Sequence, residues 1–190
     1  MSANSDLQPA PVVAKRDNAA RRTRLREFQT QLVERMQAAR AGTDTRVSRL
    51  GVMIGQRRWL LSLQEAGEIL SVGAITKVPL TQDWYLGLLN VRGNLISVVD
   101  FARFLGQPAT ALDKESRIVA FAPGLAFNCG LLVTRVLGLR NVADMETKDQ
   151  SGEGDAQWTT HRYVDRDSQE WTELDLSLVV QDPQFLHVGV

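Results

Sequence analysis

The chain of 190 residues is poor in the groups that do covalent and metal chemistry. It has a single cysteine, Cys129, which excludes an internal disulfide framework. Cys129 lies within the apolar run Phe127–Val133, where a small core residue is expected rather than an exposed thiolate with a base beside it. There are only two histidines, His161 and His187, and neither has a cysteine or carboxylate at metal-ligand spacing, so no metal site is expected. A glycine-rich phosphate loop with a following lysine is missing, as is a strand–GxGxxG–helix unit. Asp165 and Asp167 fall in a polar turn, where paired carboxylates are ordinarily solvated. No catalytic residue and no cofactor is therefore expected. No early apolar run has the length of a signal peptide, and none approaches the ~20 residues of a membrane-spanning helix, so a cytoplasmic protein without direct membrane insertion is expected.

What is present is ordinary for a folded domain: 44% hydrophobic and 23% charged residues, enough for one core of useful size. Net charge is zero but unevenly spread. Residues 1–46 hold nine Lys or Arg against five Asp or Glu, whereas the remainder holds 13 against 17. The first 16 residues are polar and expected to be disordered. From Asn18 to Arg40, Leu25, Phe28, Leu32 and Met36 recur at steps of three and four among six arginines, the pattern of a basic amphipathic helix. Such a helix has three readings: packing on protein, lying on a membrane surface, or serving as a nucleic-acid arm. Glu27 and Glu34 interrupt its positive face and no aromatic residues interleave the arginines, which favours packing on protein and argues against nucleic acid.

From Arg49 the periodicity becomes that of strands. Leu50, Val52 and Ile54 alternate, Gly55-Gln56-Arg57 turns the chain, and Leu61 and Leu63 resume. Ala66–Val72 is a third extended piece, and Val78-Pro79-Leu80 an edge or strand end. Segments 117–121, 127–133 and 136–142 read as further strands; 144–155 reads as a polar loop; 161–164 and 171–174 read as strands around a turn. Asp175 is placed to cap a short helix over 176–180. Many short strands, little helix and regular turns give a mainly β fold of small barrels.

One stretch organises this pattern: Tyr85–Gly106, YLGLLNVRGNLISVVDFARFLG. Two apolar strands flank Asn90-Val91-Arg92-Gly93-Asn94, which has the Gly and Asn that a hairpin connection needs for positive φ. Asp100 is expected to cap one helical turn at Phe101–Arg103, closed by Gly106 and Pro108. Arg92 then stands as a long cation at the tip of an apolar hairpin, either simply solvated or free to meet a partner.

Gly87-Leu-Leu-Asn90-Val-Arg92-Gly93 followed by Ile96-Ser-Val-Val-Asp100 resembles the G-x-x-N-L-R-G…(I/V)-P-V-(I/V)-D-L signature of CheW-type chemotaxis coupling domains. Trp59–Ile69, Ile75–Pro79 and Gly130–Val136 resemble three more blocks of that family in the same order. Ser97 stands where the signature has proline, Ala66 where valine is usual, and Thr134 where many members have aspartate. The resemblance implies two intertwined five-stranded SH3-like barrels with a groove between them, spanning 46–186. Residues 1–45 would form the tail and basic helix, and 187–190 a C-terminal tail. It also implies a non-enzymatic adaptor between the cytoplasmic tip of a chemoreceptor and the regulatory domain of a CheA-type histidine kinase, held in membrane receptor arrays through its partners. Glu68, Gly87, Asn90, Arg92 and Gly93 match the family's contact positions, and Asp100 its structural cap. Gly87 and Gly93 also have a purely backbone reading, and Glu68 that of an exposed strand residue. The departures and the basic helix resemble the branch serving type IV pilus twitching more than the flagellar one. A small-barrel nucleic-acid binder using the basic helix is the more distant alternative, and the acidic balance of the barrel region argues against it.

Overall fold

Runs such as Trp59-Leu60-Leu61, Ile118-Val119 and Leu131-Leu132-Val133 leave no polar side for a strand to turn to water. Strands of that kind are stable only with apolar neighbours on both faces. The computed structural model, which describes residues 48–148 and 156–190, provides them. Helix 18–40, the tail before it and most of the polar loop read over 144–155 lie outside the described residues.

Eleven strands form two sheets among the described residues. The first holds β1 (Ser48–Ile54), β2 (Arg57–Ser62), β8 (Arg135–Asn141), β9 (Glu146–Lys148), β10 (Thr159–Val164) and β11 (Glu170–Leu174), in the order β8-β1-β2-β11-β10-β9. The second holds β3 (Ala66–Ser71), β4 (Tyr85–Val91), β5 (Asn94–Asp100), β6 (Arg117–Phe121) and β7 (Cys129–Val133), in the order β3-β6-β7-β5-β4. Pairing is antiparallel except for β2 with β11 and β5 with β7. The second sheet is thus inserted between the second and third strands, in chain order, of the first. Short helices α1 (Phe101–Phe104), α2 (Leu176–Val179) and α3 (Pro183–Leu186) fill the ends, each begun by an aspartate at its N-cap: Asp100, Asp175 and Asp182.

Three hydrophobic cores result, and single strands serve two at once. Trp59 and Leu61 of β2 enter a central core while Leu60 between them packs with Tyr163 and Trp171 inside the first sheet. On β6, Val119 and Phe121 enter the central core and Ile118 the interior of the second sheet; on β7, Leu131 and Val133 alternate with Leu132 in the same way. The central core carries an aromatic cluster of Trp59, Phe101, Trp158, Phe104, Trp84 and Phe185, with ring centroids 5.2–6.2 Å apart along the chain of contacts.

The mainly β reading and the order of the strands agree with the structure, with local corrections. The first sheet has six strands rather than five, because the three-residue β9 occupies part of the stretch expected to be loop. Val78–Leu80 is not a strand: Thr76 and Thr81 make isolated bridges on either side, and Leu80 takes a φ of 58°. The strand expected from Phe127 begins at Cys129, after a 3-10 turn over Pro123–Leu125 that ends with Ala126 at φ 51°. Val188–Val190 runs beside Leu80–Gln82, with the Gln82 N–H donating to Val188 O at 2.8 Å and the Val190 N–H to Leu80 O at 3.2 Å.

Neighbouring β7 residues point into different cores, so Leu131→Ala and Leu132→Ala empty separate fully buried spaces. Each is expected to lower stability by about 2–5 kcal/mol in urea unfolding. A loss from one variant alone would mean that the two interiors do not both support the fold.

Candidate functional site

The β4–β5 hairpin closes on two residues, not five. Val91 pairs with Asn94, leaving only Arg92 and Gly93 in the turn, at φ 52° and 89°. Two successive left-handed residues give the turn whose twist matches its strands. The first of them favours Asn or Gly, so an arginine there is held at some steric cost. Asn90 keeps the turn shut: its Oδ1 accepts from the Gly93 N–H at 2.8 Å. The cation is not free, as the sequence allowed. Arg92 Nη2 donates to Glu68 Oε1 at 2.6 Å, with the two side chains 79% and 42% exposed.

That pair joins opposite edges of one sheet. Glu68 is on edge strand β3, and Arg92 follows directly on edge strand β4. Further down β4, Thr76 and Leu88 exchange backbone hydrogen bonds of 2.8 Å each way, which rolls the second sheet closed. Gly87 makes the closure possible: at φ 130°, a Cβ there would stand 2.1 Å from Thr76 O. Gly87 thus serves backbone geometry at this close approach, and Gly93 serves its turn, with open space around it. Ile69, next to Glu68, and Leu95, three residues past Arg92, are large apolar residues left exposed. The sequence reading missed both; their place one residue from Glu68 and Asn94 on an outward strand face was the available signal.

Asp100 is buried and does more than cap. It accepts from the Arg103 N–H at 3.4 Å and from both the backbone N–H and the hydroxyl of Thr110 at 2.8 Å, which ties α1 to the loop that follows it. Glu68, Asn90, Arg92 and Gly93 come together at the hairpin tip, whereas Gly87 lies at the far end of β4, at the closure, and Asp100 at the head of α1.

The reactive residue types are occupied elsewhere. The Cys129 thiol is buried in the central core, and burial pushes its pKa up to about 12. His161 Nδ1 lies 2.9 Å from Glu173 Oε2, and Glu173 also accepts from Arg49 Nε at 2.6 Å and from the Tyr163 hydroxyl at 3.4 Å. That cluster was missed in the sequence, although His161, Tyr163 and Glu173 fall on one face by strand alternation. Asp165 is not simply solvated: against a desolvation cost, hydrogen bonds from the Trp171 indole and the Gln169 and Asp167 N–H groups hold its carboxyl below the usual range. Among the described residues no group of three His, Cys, Asp or Glu is placed to hold a metal ion, and no helix is long and apolar enough to cross a membrane.

Two interlocked, rolled β sheets presenting an exposed ion-paired hairpin define a small-barrel protein with its chemistry at the surface. The profile of the CheW-like domain matches residues 49–184, and the chain belongs to that family. It is 32% identical over 94 residues to protein PilI of Pseudomonas aeruginosa, covering 50% of this chain and 52% of that protein. It is 27% identical over 89 residues to protein FrzA of Myxococcus xanthus, covering 47% and 55%. The matches thus span about half the length of the curated relatives. The scaffolding protein TtCheW of Thermoanaerobacter tengcongensis has the same fold, with a TM-score of 0.60 at 20% identity over 72% of this chain and 94% of that one.

Three outcomes follow for residues at the site and in the central core. Gly87→Ala, which puts a methyl on Thr76 O and keeps a strained φ, is expected to cost ~3 kcal/mol or more in thermal or urea unfolding. Arg92→Ala is expected to change stability by less than about 1 kcal/mol. Cys129 should resist a thiol-specific disulfide reagent at pH 8 in the native protein and react in urea, because with a pKa of about 12 almost no thiolate exists in the fold. Rapid native labelling would contradict the central placement of β7.

Proposed function

We propose that this chain is a non-catalytic signalling adaptor. It couples the cytoplasmic tip of a methyl-accepting-type chemoreceptor to the regulatory domain of a CheA-type histidine kinase, in the control of type IV pilus twitching motility. Membership of the CheW-like family and the similarity to PilI support the class and the pathway. The observation that carries the binding role is the Arg92–Glu68 pair. Stability gives little reason for it, since an ion pair this exposed is worth about 0–1 kcal/mol. The left-handed arginine offsets that gain with a cost of ~1–2 kcal/mol. The pair instead holds a guanidinium and a carboxylate in fixed register at an exposed hairpin tip, where such charge discriminates between partners. The small sheets present edge strands to a partner with similar strands, and a helical receptor tip offers an apolar stripe to the groove between barrels. The adaptor acts in the cytoplasm and reaches membrane arrays through these partners, where repeated modest contacts add.

Arg92→Glu and Glu68→Arg should each weaken binding to the kinase regulatory domain or to a receptor signalling fragment by about tenfold or more. The doubly exchanged variant should regain part of the loss in biolayer interferometry with the full chain. Unchanged binding of both partners by both single variants, at native melting temperature, would remove the hairpin tip from the interface.

A further inference from the structure

The β1–β2 hairpin, on the sheet that does not carry Arg92, has a surface the proposed coupling contacts leave unexplained. Its turn is Gly55-Gln56, and β2 then opens with two consecutive arginines. Strand alternation sends them to opposite faces: Arg57 to the side of Trp59, Arg58 to the side of Leu60 and Trp171. Neither has an ion-pair or hydrogen-bond partner among the described residues, whereas Lys148 nearby is neutralised by Glu170.

Three adjoining surface clefts meet at Arg57. One is shared with Arg58, Lys148, Arg162 and Trp171; a second with Trp59, Trp158 and Thr172; a third with Gln107, Pro108 and Thr134. The cleft walls are a ready-built corner rather than an open face, since the Gln107 amide oxygen lies where a Gly55 side chain would begin.

We infer that this hairpin is a second docking surface, one that takes a carboxylate-bearing, acidic segment of a protein partner. Arg57 and Arg58 line one cleft with Lys148 and Arg162 against a single carboxylate, Glu170, which already pairs with Lys148, so the cleft is short of acceptors, and carboxylate is the group that answers a guanidinium bidentately. Nucleic acid fits poorly. Residues 47–190 carry 13 basic against 17 acidic side chains, an acidic balance that disfavours a phosphate backbone. The surface is separate from the Arg92–Glu68 tip and does not depend on it.

The test uses the full chain and a short fluorescein-labelled peptide of alternating glutamate and serine, with its glutamine counterpart as control. A short single-stranded DNA and phosphatidylglycerol vesicles are the competing probes. Anisotropy should show saturable binding of the glutamate peptide, with amide NMR shifts centred on Gln56–Trp59, Gln107 and Thr172. Arg57→Gln with Arg58→Gln should weaken it about tenfold or more, and Arg92→Ala should leave it unchanged. Should the double variant lose its native spectrum, the single Arg57→Gln variant, at an exposed position, decides. Equal binding by the arginine variants, equal binding of the glutamine peptide, or tighter binding of DNA or vesicles at this hairpin overturns the proposal.

Discussion

The structure depends on strands being buried on both sides. Where β2, β5, β6 and β7 pass between interiors, neighbouring buried residues such as Leu60 and Leu61, Val98 and Val99, Ile118 and Val119, and Leu131 and Leu132 belong to different cores, so neither sheet can shift register without emptying two interiors at once. This constraint makes two small sheets behave as one body. A five- or six-stranded sheet alone buries too little to be secure, but the shared core adds Trp59, Phe101, Trp158 and their neighbours to both. It also leaves the outer edges and hairpin tips as the places where the sequence is free to carry charge.

The glycines and aspartates at element ends set where those free surfaces point. Gly87 lets the chain after β3 close on β4, and that closure brings Glu68 within reach of Arg92. Asp100 fixes the loop after α1, and through it Gln107 stands against the β1–β2 turn. Surface residues are thereby held by backbone geometry several residues away rather than by burial of their own. Side chains held in this way are fixed in place yet inexpensive to the fold.

Much of this was legible in the chain. The doubly buried strands appear as unbroken apolar runs, the hairpin as Asn and Gly between two of them, and the caps as aspartates before short apolar pieces. What was not legible depended on tertiary geometry. Arg92 lies 24 residues from Glu68, and nothing local says that the two edges of one sheet meet. Likewise the partners of Glu173 come from β1 and β10, and only the completed first sheet collects them around one carboxylate. Boundaries failed where turn chemistry was unusual: Ala126 and Leu80 adopt left-handed backbone that no alanine or leucine advertises. Strand β9 lies in a polar stretch because it is an exposed edge, paired on one side with β10.

The parallel pairing of β2 with β11 joins residues such as Arg58 and Trp171, from opposite ends of the folded region. During synthesis the first hairpin therefore waits, with Leu60 uncovered, until the last strand has emerged, and the inserted second sheet must assemble meanwhile. Contacts this distant slow folding, because the loop entropy is spent before the pairing repays it. A nascent chain of this topology exposes its stickiest surface longest, and chaperone occupancy on the ribosome is where this arrangement of strands meets the cell.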